Sequence, residues 1–399
     1  MVRKKRYDRG DIRRLNAVSV LGQLREEGSL SRARIAEQLG LTRATVSSIV
    51  TDLLKADLVK ETDYLEGGTG RPGLQLELNR DAACVIALEI DLDRLSLVLA
   101  NAGKEVVFRK DLPLPLGMPL EEGLTLAEDL ITEALEKGMD SYKRCFGICL
   151  AWAGLVNRSR GELAYGPSSG WENVPIKQRW EAKFGIPVHV ENEAHTGAIG
   201  AHLSGEAKGK RNMIFLSLGF GLAAGIVVDG ILLRGKQGFA GQVGHTHFSD
   251  NGILCHCGKS GCWLTEIGAK AIIRKLEEAG VSLSEEEKTG TGWIEHIEAG
   301  IGQQDPVIMT VLGGIATQIG LGLTRLVHTF NPSMIIIGGR LGKLFHSVEP
   351  SILSGLNSSA LPHMTQPLEI SVSQSDDDQL IGCMDIVIDS VMTNPPLGE

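Results

Sequence analysis

The first sixty residues carry apolar side chains at the spacing of three short helices. In the first predicted helix, over residues 11–26, the apolar positions are Ile12, Leu15, Val18, Leu21 and Leu24. Gly28 and Gly40 are suited to end the first and second helices. Ser31 and Thr42 are suited to cap the N-termini of the second and third helices. The short break after Gly40 is typical of a helix-turn-helix.

Alternating apolar and polar residues after the third helix predict a two-stranded wing. The strands begin near Val59 and Leu74, and the segment between them, 67–73, is rich in glycine. This segment contains Gly70-Arg71-Pro72, which is extended and slim. Arg71 is therefore a candidate for entering a minor groove of DNA.

Charge is distributed unevenly along the chain. The net charge is −9, but residues 1–80 carry 15 Lys/Arg against 11 Asp/Glu and so +4, which leaves −13 on residues 81–399. A basic segment 1–80 joined to an acidic segment 81–399 favours contact between the basic segment and a polyanion. Short polar side chains near the start of the third helix can approach base edges and phosphates. The candidate DNA-binding residues are Arg32, Thr42, Arg43, Thr45, Ser47, Ser48 and Arg71. A three-helix bundle that binds protein is the alternative.

From residue 81 onwards, buried strands alternate with amphipathic helices. Strands are predicted at 85–90, 95–99, 146–150, 213–218, 226–228 and 334–337, and helices at 124–135 and 308–330. This alternation is typical of an α/β fold. The hydrophobic content of 43% supplies a large core. No apolar run approaches the roughly 18 residues of a membrane span. Because the amino terminus is charged and unlike a signal peptide, we predict a cytoplasmic chain with no membrane partner.

Three of the seven cysteines lie close together, in the pattern Cys255-x-Cys257-x4-Cys262. Three thiolates and the imidazole of a nearby histidine can surround a tetrahedral Zn²⁺. Because protein atoms then fill all four positions, we predict one structural zinc ion per chain. Reduced buried thiols are the alternative. A disulfide is less expected because the other four cysteines are dispersed and no secretory segment is predicted.

Several motifs together resemble the ROK family of bacterial repressors and sugar kinases. They are Gly70-Arg71-Pro72, Glu191-Asn192-Glu193-Ala194, the segment from Gly238 to His245, the cysteine cluster and Ile335-Ile336-Ile337-Gly338-Gly339. The resemblance spans nearly the whole chain and is strongest to the xylose-repressor branch. It implies an α/β protein in which an N-terminal winged helix-turn-helix precedes a two-lobed, actin-like ROK domain built like a sugar kinase.

The resemblance also implies domain boundaries and a fourth metal ligand. The expected boundaries are 1–80 for the winged helix-turn-helix, 81–399 for an effector and oligomerisation domain, about 81–190 plus 380–399 for lobe one, and about 191–379 for lobe two. His245 is implied as the zinc ligand beside the three cysteines. His247 and His256 are alternatives that spacing leaves open.

Three departures from the family's kinases argue against ATP-dependent phosphorylation. The phosphate-binding Asp-x-Gly-x-Thr turn is here Asp91-Leu92-Asp93-Arg94-Leu95, in which Asp93 replaces the glycine and adds a negative charge. Phe220 stands where the second phosphate turn has threonine, and Glu193 stands where the kinases have a catalytic aspartate. The extra methylene misplaces a base for in-line attack on a phosphate. We therefore predict that the protein is not an enzyme.

The sugar pocket that the resemblance implies is altered as well. The candidate effector-binding residues are Asn192, Glu193, Gln242 and His245. Gln242 stands where the family has glutamate and can still donate and accept hydrogen bonds. Leu264 replaces a second glutamate and has no such capacity. A sugar effector is expected; a less polar ligand, a protein partner or no effector are the alternatives.

These observations predict a DNA-binding transcriptional regulator, a repressor of carbohydrate-utilisation genes that responds to a sugar or sugar-derived effector. A homodimer or dimer of dimers would place paired winged helices on double-stranded DNA at a pseudo-palindromic operator. Two alternatives are an ATP-dependent sugar kinase with an appended DNA-binding domain and a repressor controlled by a protein partner.

Overall fold

Three helices and a small antiparallel sheet form the amino-terminal unit. The computed structural model describes residues 8–62, 74–115, 117–167, 169–250, 252–289, 291–373 and 375–397. The elements of the first unit are α1 (Arg9–Glu27), β1 (Leu30–Ser31), α2 (Arg32–Leu39), α3 (Arg43–Lys55), β2 (Val59–Thr62) and β3 (Gln75–Leu78), and the strand order is β1-β3-β2.

The predicted caps of these helices are confirmed. The Ser31 side chain accepts a hydrogen bond from the backbone N–H of Arg34, and that of Thr42 accepts from Thr45. Gly40 ends α2 in the left-handed conformation, with φ of 65°. The turn between α2 and α3 is thus the predicted helix-turn-helix turn. The wing tip with Arg71 lies outside the described residues.

The predicted buried face of α1 is wrong in its first half. Ile12 and Leu15 are each 50% exposed, whereas the buried residues of this helix are Ala17, Val20, Leu21 and Leu24. A helix turns by about 100° per residue, so five positions spaced by three drift about 60° per step around its axis. Ile12 and Leu15 consequently lie on the face opposite the core.

Two five-stranded sheets build the body. Residues 84–192 contain β4 (Cys84–Ile90), β5 (Arg94–Asn101), β6 (Val106–Pro113), α4 (Leu120–Met139), β7 (Cys145–Trp152), β8 (Leu155–Asn157), β9 (Glu162–Tyr165), β10 (Glu172–Val174), α5 (Ile176–Phe184) and β11 (Val188–Asn192). The first large sheet has the order β11-β7-β4-β5-β6, and a small sheet has the order β10-β9-β8. We call the unit around the large sheet the first lobe.

The second lobe is built around the other five-stranded sheet. Helix α6 (Glu193–Leu203) follows β11. The strands of the second sheet are β12 (Met213–Leu218), β13 (Leu222–Val228), β14 (Ile231–Leu232), β15 (Met334–Gly338) and β16 (Glu369–Val372). The remaining helices are α7 (Leu264–Ile267), α8 (Ala269–Glu278), α9 (Glu285–Thr289), α10 (Gly292–Gly302), α11 (Pro306–Phe330), α12 (Glu349–Asn357), α13 (Pro362–Thr365) and α14 (Asp378–Thr393), with 3-10 helices at Val243–His245 and Gly342–Val348.

The two large sheets repeat one topology. In each, an antiparallel meander (β4-β5-β6 or β12-β13-β14) is joined to two parallel strands, β7 and β11 or β15 and β16. Helices α6 and α14 pack side by side between the lobes. Their contact requires glycine, because a Cβ at Gly382 would lie 1.9 Å from the carbonyl oxygen of Thr196. The predicted α/β architecture with two lobes is therefore present.

Helix α11 is, in the described part of the chain, the one helix long and apolar enough to cross a membrane. Half of its most apolar window is buried inside the protein. Leu312, Ile315, Ile319 and Leu323 belong to the core of the second lobe. Packing in the core of the second lobe accounts for the apolar composition of α11.

The amino-terminal unit is joined to the body by a buried carboxylate. Asp385 on α14 has a side chain that is 1% exposed and lies 3.8 Å from Arg25 on α1. Lys104 donates to Asp385 at 2.8 Å, and the Ser204 hydroxyl at the end of α6 donates at 2.9 Å. Asp385 thus connects α14 to α1, to the end of α6 and to the β5–β6 turn of the first sheet.

Replacing Asp385 by alanine is expected to destabilise the protein by about 2 kcal/mol, because three donors lose their shared acceptor. Chemical denaturation of the full chain would measure the loss. Asp389→Ala is the matched control: Asp389 is 54% exposed and pairs with Arg25 at 3.3 Å. Exposed pairs contribute about 0–1 kcal/mol. Equal losses in the two variants would contradict the structural role of Asp385.

Candidate DNA interface, metal centre and interlobe cleft

Five of the predicted DNA-binding residues lie on or beside the first turns of α3. Arg43 is exposed and, among the described residues, its guanidinium has neither an ion pair nor a hydrogen bond. Ser48 is exposed and accepts a hydrogen bond from Arg13 at 2.9 Å, an arrangement that sequence reasoning missed. Thr45 shares a hydrogen bond of 2.8 Å with Thr42. Arg43 thus has no partner among the described residues that a ligand would have to displace.

Arg32 differs from the other candidates. It begins α2 and forms an ion pair of 2.8 Å with Glu61 on β2, and both side chains are about one third exposed. The pair holds Arg32 against the sheet. A phosphate would have to compete with Glu61 for this guanidinium.

Four potential metal ligands converge in the second lobe. The ligand atoms of His245, Cys255, Cys257 and Cys262 all lie within 4.8 Å of one another. The Sγ atoms of Cys257 and Cys262 are 3.6 Å apart, and Nδ1 of His245 lies 3.6 Å from Sγ of Cys255. Thiolates on a tetrahedral Zn²⁺ with bonds of about 2.3 Å stand roughly 3.8 Å apart. The donor set and its spacing therefore fit zinc.

The structure selects His245 from the three candidate histidines. The side chain of His247 is 63% exposed and faces Asp250 at 3.0 Å. His256 packs its ring edge-on against that of His245, with 5.5 Å between centroids. A bridge between His247 and Cys262 closes the loop. Gly261 is required at its tip, where φ is 75° and a Cβ would lie 2.1 Å from the carbonyl oxygen of Ser249.

Burial shifts protonation in the cluster in two ways, of which the effect on His245 favours metal binding and the effect on Cys262 opposes it. Burial raises the pKa of the Cys262 thiol to about 12 and lowers the pKa of His245, which keeps the imidazole neutral. A neutral imidazole is the form that binds a metal. Binding of a cation would release protons from the thiols, so affinity should increase with pH.

The predicted effector residues flank the start of α6 and the loop before the metal cluster. Asn192 caps α6: its Oδ1 accepts from the N–H groups of Ala194 and His195 at 2.9 and 3.2 Å. Its Nδ2 donates to the carbonyl of Gly154 at 3.0 Å and to Glu193. Asn192 is thus fully engaged in holding the backbone.

His195 joins the segment of Asn192 and Glu193 to the loop of Gln242 and His245. Its Nε2 lies 3.0 Å from the carbonyl oxygen of Ala240, and its Nδ1 lies 3.1 Å from Glu191. Arg234 donates to Glu191 at 2.9 Å. Sequence reasoning missed this buried network, although Glu191, at the end of β11, and His195, on α6, are four residues apart.

The pKa of Glu193 is raised far above the usual value of a glutamate, which favours the neutral acid. Burial is the main cause that raises its pKa to about 8, and the nearby Asp91 adds to the effect. The same cause raises the pKa of Asp91 to about 6. A protonated carboxyl group donates a hydrogen bond and does not act as a base.

The predicted negative charge of Asp93 does not face an open cleft. Its side chain is 2% exposed and forms an ion pair of 3.6 Å with Arg340, which follows β15. Asp93 belongs to the β4–β5 turn, so the pair connects the first lobe to the second. Asp93 and Arg340 are 247 positions apart in the chain and meet in this pair.

The contribution of Glu193 to thermal stability should fall as pH rises from about 5 to 8. Between its ordinary pKa of 4.5 and its folded value of about 8, Glu193 binds a proton in the folded state but not in the unfolded state. Stability from such a group is lost as pH rises. Glu193→Gln should flatten part of this decline and raise the melting temperature at pH 8. Melts at several pH values would test this, with Glu37→Gln at an exposed site as control; identical slopes in both variants would contradict it.

Comparison with known proteins identifies the family. The model of the ROK family matches residues 85–390, and that of the MarR family matches residues 13–64. The chain belongs to the ROK family. The predicted resemblance and the predicted fold, a helix-turn-helix followed by an actin-like ROK domain, are both confirmed.

Relatives of this ROK protein differ in how much of the chain they match. The xylose repressor of Caldicellulosiruptor bescii is 30% identical over 397 residues, covering 96% of this chain and 98% of its own. Glucokinase of Streptomyces coelicolor is 35% identical over 223 residues, covering 53% and 70%. A solved ROK family transcriptional regulator, a homologue of the E. coli Mlc protein, superposes with a TM-score of 0.81 at 25% identity, covering 96% and 97%.

Proposed function

We propose that this ROK protein is a DNA-binding repressor of carbohydrate-utilisation genes that releases DNA when a sugar binds between its lobes. One observation carries the proposal: the match to a xylose repressor runs from end to end, including the helix-turn-helix, whereas the match to a glucokinase covers about half of the chain. The amino-terminal unit is thus part of what this chain shares with repressors. Cytoplasmic location follows from such a role.

The proposed DNA interface is the exposed start of α3 with the wing. Thr42, Arg43, Thr45, Ser47 and Ser48 would lie in the major groove, with Arg32 at its edge and Arg71 in the minor groove. Arg43 is the strongest candidate for base or phosphate contact because it is exposed and unpaired among the described residues. A homodimer would read a pseudo-palindromic operator.

The proposed metal is one structural Zn²⁺ held by His245, Cys255, Cys257 and Cys262. Bound there, it would supply four-coordinate cross-linking of the loop and no open position for catalysis. The ring of His245 is directed by its Nδ1 towards the cysteines. Its other nitrogen is then the one left for a ligand hydroxyl.

The proposed effector site comprises Glu193, Gln242 and His245, with Asn192 as the residue that positions Glu193 and the start of α6. Neutral Glu193 can donate to a sugar hydroxyl, and Gln242 can donate or accept. A sugar held by both lobes would stabilise one interlobe angle and shift the population of DNA-binding conformations. The α6–α14 pair and Asp385 connect this site to α1.

The body is proposed to bind a sugar without phosphorylating it. The raised pKa of Glu193 favours its neutral form, and Asp93, paired with Arg340, occupies the β4–β5 turn. We expect no sugar-dependent ADP formation above background from the purified chain, measured across hexoses, pentoses and amino sugars. Turnover that Glu193→Gln abolishes would establish the alternative, a kinase with an appended DNA-binding unit.

A further inference from the structure

A cavity of about 380 Å³ lies where a loop of the second lobe meets the first lobe. Its walls come from β11, the turn after β8, the first turn of α5, the loop after β14 and α14. The lobes touch closely beside it, because a Cβ at Gly238 would lie 2.7 Å from the carbonyl oxygen of Val156. None of the proposed metal ligands or effector residues is among the described residues that line this cavity. Cavities of this size accommodate small metabolites.

Positive charge exceeds negative charge around the cavity. The charged residues that line it are Arg158, Lys177, Arg234, Lys236 and Glu191. One further carboxylate, that of Glu181, forms an ion pair with Lys177. Two positive charges therefore remain without a carboxylate in this group of residues. A concave wall that carries one sign of charge concentrates the opposite sign, so the cavity attracts anions.

Two nitrogens in this cavity have no partner among the described residues. Lys236 is exposed and takes part in no ion pair or hydrogen bond there. Nε2 of His189 is buried without a hydrogen bond, whereas buried polar nitrogens are almost always hydrogen-bonded. Burial lowers the pKa of His189, and Lys177 and Arg158 lower it further, which favours the neutral ring. A neutral imidazole can carry its proton on Nε2 and donate it to an anion.

The two arginines of the cavity belong to different lobes and share one carboxylate. Nε of Arg234, after β14, lies 2.9 Å from Glu191, and Nε of Arg158, after β8, lies 3.5 Å from it. Glu191 lies on β11 two residues after His189, so both side chains point to the same face of that strand. The contacts through Nε leave the terminal NH2 groups of both arginines to donate to a second oxyanion. An anion held by these groups would contact both lobes.

We infer that this cavity binds a small phosphate monoester, with its phosphate group between Arg158 of the first lobe and Arg234 and Lys236 of the second. A phosphate monoester carries a charge of about −1.5 to −2 at pH 7, which matches the excess of two positive charges. Guanidinium groups donate to phosphate oxygens in pairs, a geometry that phosphate satisfies well. The inference is independent of the proposed sugar effector, because this ligand occupies a second site. Its binding to both lobes would favour one interlobe angle.

Calorimetric titration of the full chain at fixed ionic strength tests the inference. The probes are glycerol 3-phosphate, ribose 5-phosphate and glucose 6-phosphate, each beside its unphosphorylated counterpart, and inorganic phosphate. At least one monoester should bind. Arg158→Ala and Lys236→Ala, one from each lobe, should each weaken its binding by at least about tenfold, because each removes a charge-assisted contact. Where an unphosphorylated counterpart binds, neither variant should change its affinity.

Two exposed cations outside the cavity provide matched controls. Arg160→Ala lies two residues from Arg158, and Lys143→Ala removes an exposed lysine elsewhere in the first lobe; neither residue lines the cavity. Both controls should bind the monoester like the original chain. Thermal melts that match the original chain would show that the two cavity variants are folded.

The outcomes separate this inference from the proposed function. Failure of all three monoesters to bind, or a monoester affinity that neither cavity variant changes, would overturn the phosphate site even where a sugar still controls DNA binding. Inorganic phosphate that binds as tightly as every monoester would overturn the assignment to a monoester. A chain that binds a monoester in this cavity but responds to no sugar would contradict the proposed function alone.

Discussion

A Cys257→Ser chain is expected to retain less than about a tenth of a zinc ion per chain and to melt several degrees below the parent. Serine supplies no thiolate, and the three remaining ligands must then hold the ion with an incomplete shell. Structural zinc sites bind with about 10–16 kcal/mol in small peptides. The second lobe has its own core, so part of this loss should appear as lower stability and the lobe should remain folded.

Metal analysis and thermal melts of the full chain measure both effects. Cys145→Ser is the matched control, because Cys145 lies outside the cluster and its Sγ donates to the carbonyl of Gly147 at 3.4 Å, a bond that serine can keep. The variant at Cys257 should also lose its response to effector, since the loop carries His245. A chain that loses zinc but responds normally would contradict that coupling, and a parent chain without zinc would contradict the metal site.

An Arg43→Ala chain is expected to bind its operator about 10- to 100-fold more weakly. One bidentate contact to a base contributes about 1–3 kcal/mol of discrimination. Arg43 stands at the N-terminus of α3, exposed and unpaired among the described residues, so no intramolecular partner needs to be lost on binding. Fluorescence anisotropy with labelled operator would measure the change.

The salt dependence of binding separates two roles for Arg43. Loss of a phosphate contact should reduce the slope of log affinity against log salt by about one and weaken all sequences alike. Loss of a base contact should weaken the operator more than random DNA. Arg160→Ala is the control, because Arg160 is 72% exposed but lies in the body. Equal affinity of Arg43→Ala and parent would contradict the interface.

Local chemistry made much of the amino-terminal unit predictable. The caps at Ser31 and Thr42 and the left-handed Gly40 depend on nearest neighbours, and each is present. The face of α1 was not predictable by the same means. Residues spaced by three drift around a helix, and only packing against α3 and β3 shows which side is buried.

The metal cluster was predictable in its cysteines but not in its histidine. Spacing alone left His245, His247 and His256 open, because all three lie within eleven residues of Cys255 in the chain. The bridge from His247 to Cys262 and the resulting loop path decide which imidazole faces the thiols. Such a choice depends on three-dimensional geometry.

Buried pairs between distant residues were the least predictable feature. Arg340 forms an ion pair with Asp93. Asp385 forms ion pairs with Arg25 and Lys104, which lie far from it in the sequence. No periodicity or spacing links such residues, because they meet only after two separate sheets have formed and docked. The pair of Asp93 and Arg340 is a contact between the two lobes.

We propose that a sugar bound by the body controls DNA binding by the amino-terminal unit. Footprinting of the full chain on genomic DNA, with and without sugars, tests it most directly. We expect a protected pseudo-palindromic site beside carbohydrate genes, loss of protection when one sugar is added, and no protection by Arg43→Ala. A folded chain that protects no specific site, or whose protection is unchanged by every sugar, would contradict the claim.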